Sequence, residues 1–181
     1  SSVPMEELLE EAGALVRLGA RELCVIAQDT ASYGTDIYGR ARLPDLLKGL
    51  CRVRRLRRVR LLYVHPAHLS DEILEVMAGE KKVCRYIDLP LQHVSDAILR
   101  AMGRRYTGEG VRRLIGRVRS SLPGAAVRTS MIVGFPGETA ADFRELREFV
   151  RDARFDHLGV FTYSREKGTP AARLGRQVPA S

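Results

Sequence analysis

The sequence has 181 residues, a size that fits one domain and is long enough to bury a core. With 45% hydrophobic and 29% charged residues it has a globular balance, and no apolar run nears the ~20 residues a membrane helix requires, which argues against a membrane partner. The formal net charge of +8 raises RNA or the ribosome as a partner, against a merely solubilising Arg-rich surface; three scattered cysteines, Cys24, Cys51 and Cys84, argue against a disulfide framework and for a reducing, cytoplasmic setting.

In chain order, residues 6–18 carry Leu8, Leu9, Ala12, Leu15 and Val16 on one stripe and predict an amphipathic helix, with Glu6, Glu7 and Glu10 at its positive end and Gly19 stopping it. A strand follows over 22–28 (ELCVIAQ), then the polar loop DTASYGTDIYGR. A second helix begins at Pro44 with Leu43, Leu46, Leu47 and Leu50 on one face. The stretch 51–60, CRVRRLRRVR, reads as a helix end leading into a strand, or as a phosphate-binding patch. Strand 59–64 precedes a helix over 70–78, strand 85–89 and helical stretches at 95–102 and 108–120. Pro123 and Gly124 turn the chain into strand 126–133. Thr139, with Asp142 three positions on, is a capping-box pattern for a helix carrying Phe143, Leu146, Phe149 and Val150, and the last strand is 157–163. Five strands alternating with helices every ~30 to 40 residues is βαβ spacing, and strands apolar on both faces predict a parallel sheet covered on both sides. No linker divides the chain, so the sequence predicts a single domain: an open doubly wound sheet or a (βα) barrel.

The chemistry-bearing residues fall where these strands end: AQDTASYG, YVHP, DLPLQH, GFPGE and YSREKGT. In a parallel α/β fold all carboxyl ends share one rim, where ligands bind, so the pattern marks an enzyme site. Gln28 and Asp29 fit an Asx-type turn as well as a ligand-binding pair. His65 reads as a satisfied loop histidine, and His68 carries no assignment. Gln92 and His93, a polar pair close behind Pro90, are functional candidates. Gly134 and Gly137 let a flat ring approach backbone with no Cβ in the way, or form an ordinary tight turn. Glu138 accepts from a ligand, or sits as a favourable anion at the helix start.

The segments YIDLPLQHVSDAILRAMGRRYT, RTSMIVGFPGETAADF and GVFTYSREKGTPAARL resemble the later strands of the radical S-adenosylmethionine enzymes, and within them the MiaB/RimO methylthiotransferases. IAQDTASYGTDIYG, RLLYVHP and DLPLQH are most similar to the branch that methylthiolates an aspartate of a small-subunit ribosomal protein. The branch that modifies tRNA adenosine stands as the alternative, as does a non-catalytic ribosome- or RNA-binding module. The resemblance implies an α/β fold, a partial (βα) TIM-like barrel with strands two to six in parallel, and S-adenosylmethionine as cofactor. It places Gln28 and Asp29 at the methionine amino group, and Gln92 and Arg104 around ribose and carboxylate. Ser130 stands where relatives carry a ribose-binding Asp, Gly134, Phe135 and Glu138 form the adenine turn, and Phe161 and Tyr163 flank the adenine. His93 and Tyr63 complete the cofactor-binding set.

The resemblance also implies [4Fe–4S] clusters and an electron donor, with the first cluster on a CxxxCxxC loop that this sequence does not contain. Cys24, Cys51 and Cys84 lack that spacing. Beginning at Ser1 and ending at RQVPAS, residues 1–181 are therefore expected to be the incomplete core of a longer enzyme and inactive alone. No catalytic or metal-ligating residue is assigned within them.

Overall fold

The computed structural model of the protein describes residues 1–178. Among the described residues five β-strands and seven α-helices follow the order expected, except that a short helix, Thr35–Tyr38, forms within the stretch read as a polar loop. The residues group into two compact units, Ser1–Leu89 with Val118–Ala126, and Pro90–Arg117 with Val127–Ser181.

In the first unit, α1 (Met5–Arg17) buries Ala12 and Val16, and Pro4 at its start supplies a carbonyl to the Leu8 N–H at 3.1 Å. β1 (Glu22–Val25) and β2 (Arg58–Leu61) pair in parallel, Glu22 opposite Arg58 and Val25 opposite Leu61. The polar loop after β1 holds a 3₁₀ turn at Thr30–Ser32 and the short α2 (Thr35–Tyr38), bounded by Gly34 and Gly39 in left-handed backbone. α3 (Leu43–Arg52) starts on Pro44 in its first turn, where a missing N–H costs nothing, and buries Leu43, Leu46, Leu47 and Leu50. Each such leucine contributes about 1.5–3 kcal/mol of apolar burial. α4 (Asp71–Gly79) is capped by the Ser70 hydroxyl, which accepts from the Ile73 N–H. Beyond it the chain runs beside β2: Val59 donates to the Lys82 carbonyl and accepts from Cys84, and farther on Val64 donates to Asp88 at 3.0 Å.

β3 (Tyr86–Gln92) and β4 (Ala126–Val133) carry the chain into the second unit, and the sheet order is β3-β4-β5. There α5 (Asp96–Ala101) ends on Gly103 in left-handed backbone, where the Gly103 and Arg104 N–H groups close onto Arg100 and Leu99. α6 (Gly108–Ser121) buries Val111, Leu114 and Ile115. α7 (Ala140–Ala153) begins with the expected capping box between Thr139 and Asp142. β5 (His157–Thr162) pairs in parallel with β4, from Arg128 opposite His157 to Val133 opposite Thr162.

β1 stops at Val25 rather than Gln28 and β2 at Leu61 rather than Val64, and two further expectations change. The sheet is not covered throughout: β5 is an edge strand with one neighbour among the described residues, and Leu158, Val160 and Phe161 stay exposed. β3 does not stop at Leu89; it passes through Pro90 to Gln92. Proline takes one donor from the ladder, but the next N–H, of Leu91, lies 3.4 Å from the Thr129 hydroxyl.

Candidate functional site

The first unit places Gln28, Asp29 and Tyr63 just beyond the carboxyl ends of β1 and β2. Here the sheet ladder gives way to local bonds: the Thr30 N–H and hydroxyl both donate to the Tyr63 carbonyl, and the hydroxyl also reaches Leu62. Tyr63 sits in left-handed backbone at φ 53°, with its N–H 3.4 Å from the Asp88 carboxylate. Such a conformation in a bulky residue stores about 1–3 kcal/mol and persists only where neighbours impose it. Its ring stays exposed.

Asp29 is held on both oxygens. Ser32 donates its hydroxyl to Oδ2 at 2.5 Å, and His68 Nδ1 lies 2.5 Å from the same atom. The His65 N–H approaches Oδ1 at 3.4 Å. Burial pushes the carboxyl up, but the bonds from Ser32 and His68 together hold it below its usual value. Asp29 is thus an anion with its partners in place. Gln28 is exposed, and its amide finds no partner among the described residues.

The second unit carries the other nine candidates. Gln92 ends β3 at φ 69°, half-buried, its side-chain amide unpartnered among the described residues. The Tyr106 hydroxyl fixes the strand behind it by donating to the Leu91 carbonyl at 3.1 Å. Ser130 lies on the half-buried face of β4, opposite Gly159, while Thr129 and Met131 point into the core. Arg104 follows the α5 cap, and its buried Nε has no hydrogen-bond partner among the described residues.

The 134–138 turn is fastened to itself. The Phe135 N–H donates to Glu138 Oε2 at 3.1 Å, and the Glu138 N–H donates back to the Phe135 carbonyl at 2.9 Å. The Gly137 N–H donates to the Arg176 carbonyl at 2.8 Å. Gly134 and Gly137 both sit at positive φ, 72° and 90°, which explains glycine here without invoking a ligand. Yet a Cβ at Gly137 would meet nothing within 4 Å, so the face of the turn is open. Phe135 is buried and packs edge-on against Tyr163 at 5.2 Å between ring centroids. The Tyr163 hydroxyl is buried without a partner among the described residues.

Phe161 is 57% exposed on β5. Its ring folds back over Gly159, where a Cβ would lie 3.2 Å from Cε2. An aromatic ring laid on bare backbone presents its other face outward.

His93 lies behind this layer, fully buried, and Nδ1 accepts from the Ser95 N–H at 3.0 Å. Its proton therefore sits on Nε2, which has no hydrogen-bond partner among the described residues and lies 3.9 Å from Glu138 Oε1. Burial lowers the histidine to about 4, against the pull of Asp142, so it is neutral at physiological pH. Burial also raises Glu138, against the N–H groups of Phe135 and Gly134. Ser95 donates its hydroxyl to Asp142 at 2.5 Å, and Asp142 closes the Thr139 cap. Ser95 and Gly159, like Ser32 and His68 in the first unit, carry no site signal in the sequence, and Asp142 is marked there as a helix cap rather than a site residue.

The Radical SAM superfamily model matches residues 1–150. The chain belongs to the radical SAM superfamily. Among curated proteins of this kind it is 51% identical over 174 residues to the ribosomal protein uS12 methylthiotransferase RimO of Alkaliphilus oremlandii, covering 96% of this chain and 40% of that protein. It is 49% identical over 177 residues to the RimO of Lachnoclostridium phytofermentans, covering 98% and 40%. The chain thus spans about 40% of the length of the curated relatives it matches. Two solved structures, the first of them a radical S-adenosylmethionine methyltransferase, share the fold. The methyltransferase TsrM of Kitasatospora setae superposes with a TM-score of 0.67 at 19% identity, over 87% of this chain and 30% of that one. Streptococcus suis SuiB bound to S-adenosylmethionine gives 0.63 at 14% identity, over 100% and 37%.

The residues of the second unit fit a nucleoside-bearing cofactor. Buried Arg104 Nε and Tyr163 Oη lack partners among the described residues, the turn is open at Gly137, and Phe161 offers a ring face. They do not fit an iron–sulfur cluster. Among the described residues no group of three His, Cys, Asp or Glu is placed to hold a metal ion. Cys24 is exposed on β1, Cys51 is buried in α3 with burial pushing its thiol up to about 11, and Cys84 precedes β3.

Proposed function

We propose that this chain is the S-adenosylmethionine-holding core of a methylthiotransferase that adds a methylthio group to the β-carbon of an aspartate in a small-subunit ribosomal protein. The observation that carries this is the 51% identity with a RimO over 96% of the chain. The proposed core is the incomplete radical SAM domain of a longer cytoplasmic enzyme; RNA or the ribosome and an electron donor complete its partners. Among the described residues no helix is long and apolar enough to cross a membrane.

When bound and reduced by a [4Fe–4S] cluster, S-adenosylmethionine supplies radical hydrogen abstraction. This chain's residues bind and orient. In the second unit, Phe161 and the 134–138 turn support the adenine, Tyr163 and Phe135 set the level of that surface, and Arg104, Gln92 and Ser130 address the ribose and carboxylate. His93 acts through Glu138. Gln28, Asp29 and Tyr63 are assigned to the amino-acid end. Because the cysteines here do not fit a cluster, the 181 residues alone are expected not to cleave the cofactor. 5′-Deoxyadenosine after reconstitution with iron and sulfide contradicts that expectation.

The experiment for the activity is mass spectrometry of substrates treated with the enzyme that carries this chain. Methylthiolated aspartate in the ribosomal protein supports the proposal. Modified adenosine in digested tRNA, with the protein untouched, replaces it with the tRNA-modifying alternative.

A further inference from the structure

The net charge of this chain is not spread over its surface. Three loops lead into the amino ends of the first three strands; taken with the last helix residue before each and the first strand residue after the first two, they span residues 17–22, 52–58 and 79–85. The first carries Arg17 and Arg21, the second five arginines, and the third Lys81, Lys82 and Arg85. These loops hold ten basic residues against the two acids Glu22 and Glu80. Twenty basic and twenty acidic residues remain elsewhere, so the formal charge of +8 resides entirely on these three loops.

The fold joins them into one surface. The Arg57 and Arg58 N–H groups donate to the Arg21 carbonyl at 2.8 and 3.1 Å, which ties the first loop to the second. Lys82 Nζ donates to the Val53 carbonyl at 2.9 Å, which ties the second to the third. An open cleft of about 330 Å³ is flanked by Arg17, Arg54 and Arg55, and another of about 340 Å³ by Arg58, Lys81 and Arg85. The parallel register of β1 and β2 puts Glu22 and Arg58 at this end. Gln28, Asp29 and Tyr63 follow the opposite end of the same strands.

Little inside the protein neutralises these charges. Glu22 is taken by Arg60 at 2.7 Å and Arg58 at 3.7 Å. Among the described residues no carboxylate pairs with Arg17, Arg52, Arg54, Arg55, Arg57 or Lys81, and all six are exposed. Like charges this close repel over a screening length of about 8–10 Å, so the cluster does not stabilise the fold. Eight of the ten cations are arginines, whose planar forks match phosphate oxygens in pairs. No aromatic residue occurs in the three loops, so bases have no stacking platform there. The recognition chemistry is that of a sugar–phosphate backbone carrying several phosphates.

We propose that this basic end of the first unit is a docking surface for the phosphate backbone of a structured RNA. The choice of RNA over another polyanion rests on the ribosomal substrate proposed above; the surface itself does not. A lipid headgroup surface is disfavoured because Leu18 is the one large exposed apolar side chain in these loops.

The test is fluorescence anisotropy of the 181-residue chain with a labelled RNA hairpin, titrated from about 50 to about 200 mM salt. Affinity is expected to fall with a log–log slope of about −3 or steeper, since each neutralised phosphate contributes about 0.7–0.9. R54Q/R55Q/R57Q should flatten that slope by about 2–3 and weaken binding at least about tenfold, with unchanged Tm. R144Q/R147Q/R151Q, which removes the same charge from α7, should bind within about twofold of the parent. Absence of binding at the lowest salt, or equal losses in both triple variants, overturns the proposal. So does tighter binding of polyglutamate or phosphatidylserine vesicles through the same three arginines, which reassigns the surface to an acidic protein or a lipid. Binding of S-adenosylmethionine is measured in parallel and should be unaffected by R54Q/R55Q/R57Q. Its loss in the parent chain, with RNA binding intact, counts against the cofactor reading and leaves this surface standing.

Discussion

Asp29 and Glu138 both stand just past a strand end, and their surroundings treat them in opposite ways. At Asp29 burial is partial, and Ser32 and His68 supply enough hydrogen bonds to hold the carboxyl below its usual value. At Glu138, with 5% of the side chain exposed, burial prevails over the backbone donors and the carboxyl is raised. Asp29 is a solvated anion fixed by side chains. Glu138 is a buried clasp that fixes the backbone of the 134–138 turn. In the proposed site the ligand-facing surface of the second unit is then the turn and the Phe161 ring rather than the carboxylate.

Breaking the clasp should have the largest effect. Glu138→Ala leaves the Phe135 N–H buried without an acceptor and should cost about 2–3 kcal/mol in urea unfolding. A loss under about 0.5 kcal/mol means that the turn does not depend on it.

His93 sharpens the contrast through pH. Its folded value of about 4 lies below the ordinary 6.5, so the unfolded chain takes up this proton first. Its contribution to stability is fully present above about pH 7 and is lost as pH falls toward 4. Between about pH 7.5 and pH 5 the loss amounts to about 2 kcal/mol. The groups facing it are Glu138, raised and thus of opposite sign as pH falls, and Asp142, lowered and of the same sign. Both remain in His93→Phe, so the parent-minus-variant difference isolates the histidine. Parallel curves for the two proteins contradict the assignment.

Phe161→Ala should separate binding from folding: S-adenosylmethionine affinity falls about tenfold, about 1.4 kcal/mol, by calorimetry. Stability stays within about 0.5 kcal/mol, because the ring is 57% exposed. Asp29→Asn is the mildest, with a stability loss of about 1 kcal/mol as the Ser32 and His68 bonds lose their charged acceptor.

The sequence pattern was most legible where local rules and packing agree. β4 runs over 126–133 as expected because its apolar alternation and the Pro123–Gly124 turn point the same way, and α7 begins at Thr139 because the cap is a local motif. Strand ends were less legible. The run 23–27 is uniformly apolar up to Gln28, yet the ladder stops at Val25, because Thr30 draws the chain toward Tyr63. His68 gave no sign of its role, since its partner Asp29 lies 39 positions away. His93 could be singled out as polar and close behind Pro90, but its tautomer depends on the Ser95 N–H and its burial on tertiary packing. Gly159 was passed over because a glycine's purpose shows only when a neighbouring ring is seen lying on it.

Amide hydrogen exchange of the 181-residue chain, with and without saturating S-adenosylmethionine, tests the central claim most directly. Slowed exchange at residues 134–138 and 161–163, with 52–57 unchanged, is the predicted result. Unaltered exchange in the 134–138 turn while the cofactor is demonstrably bound would contradict it.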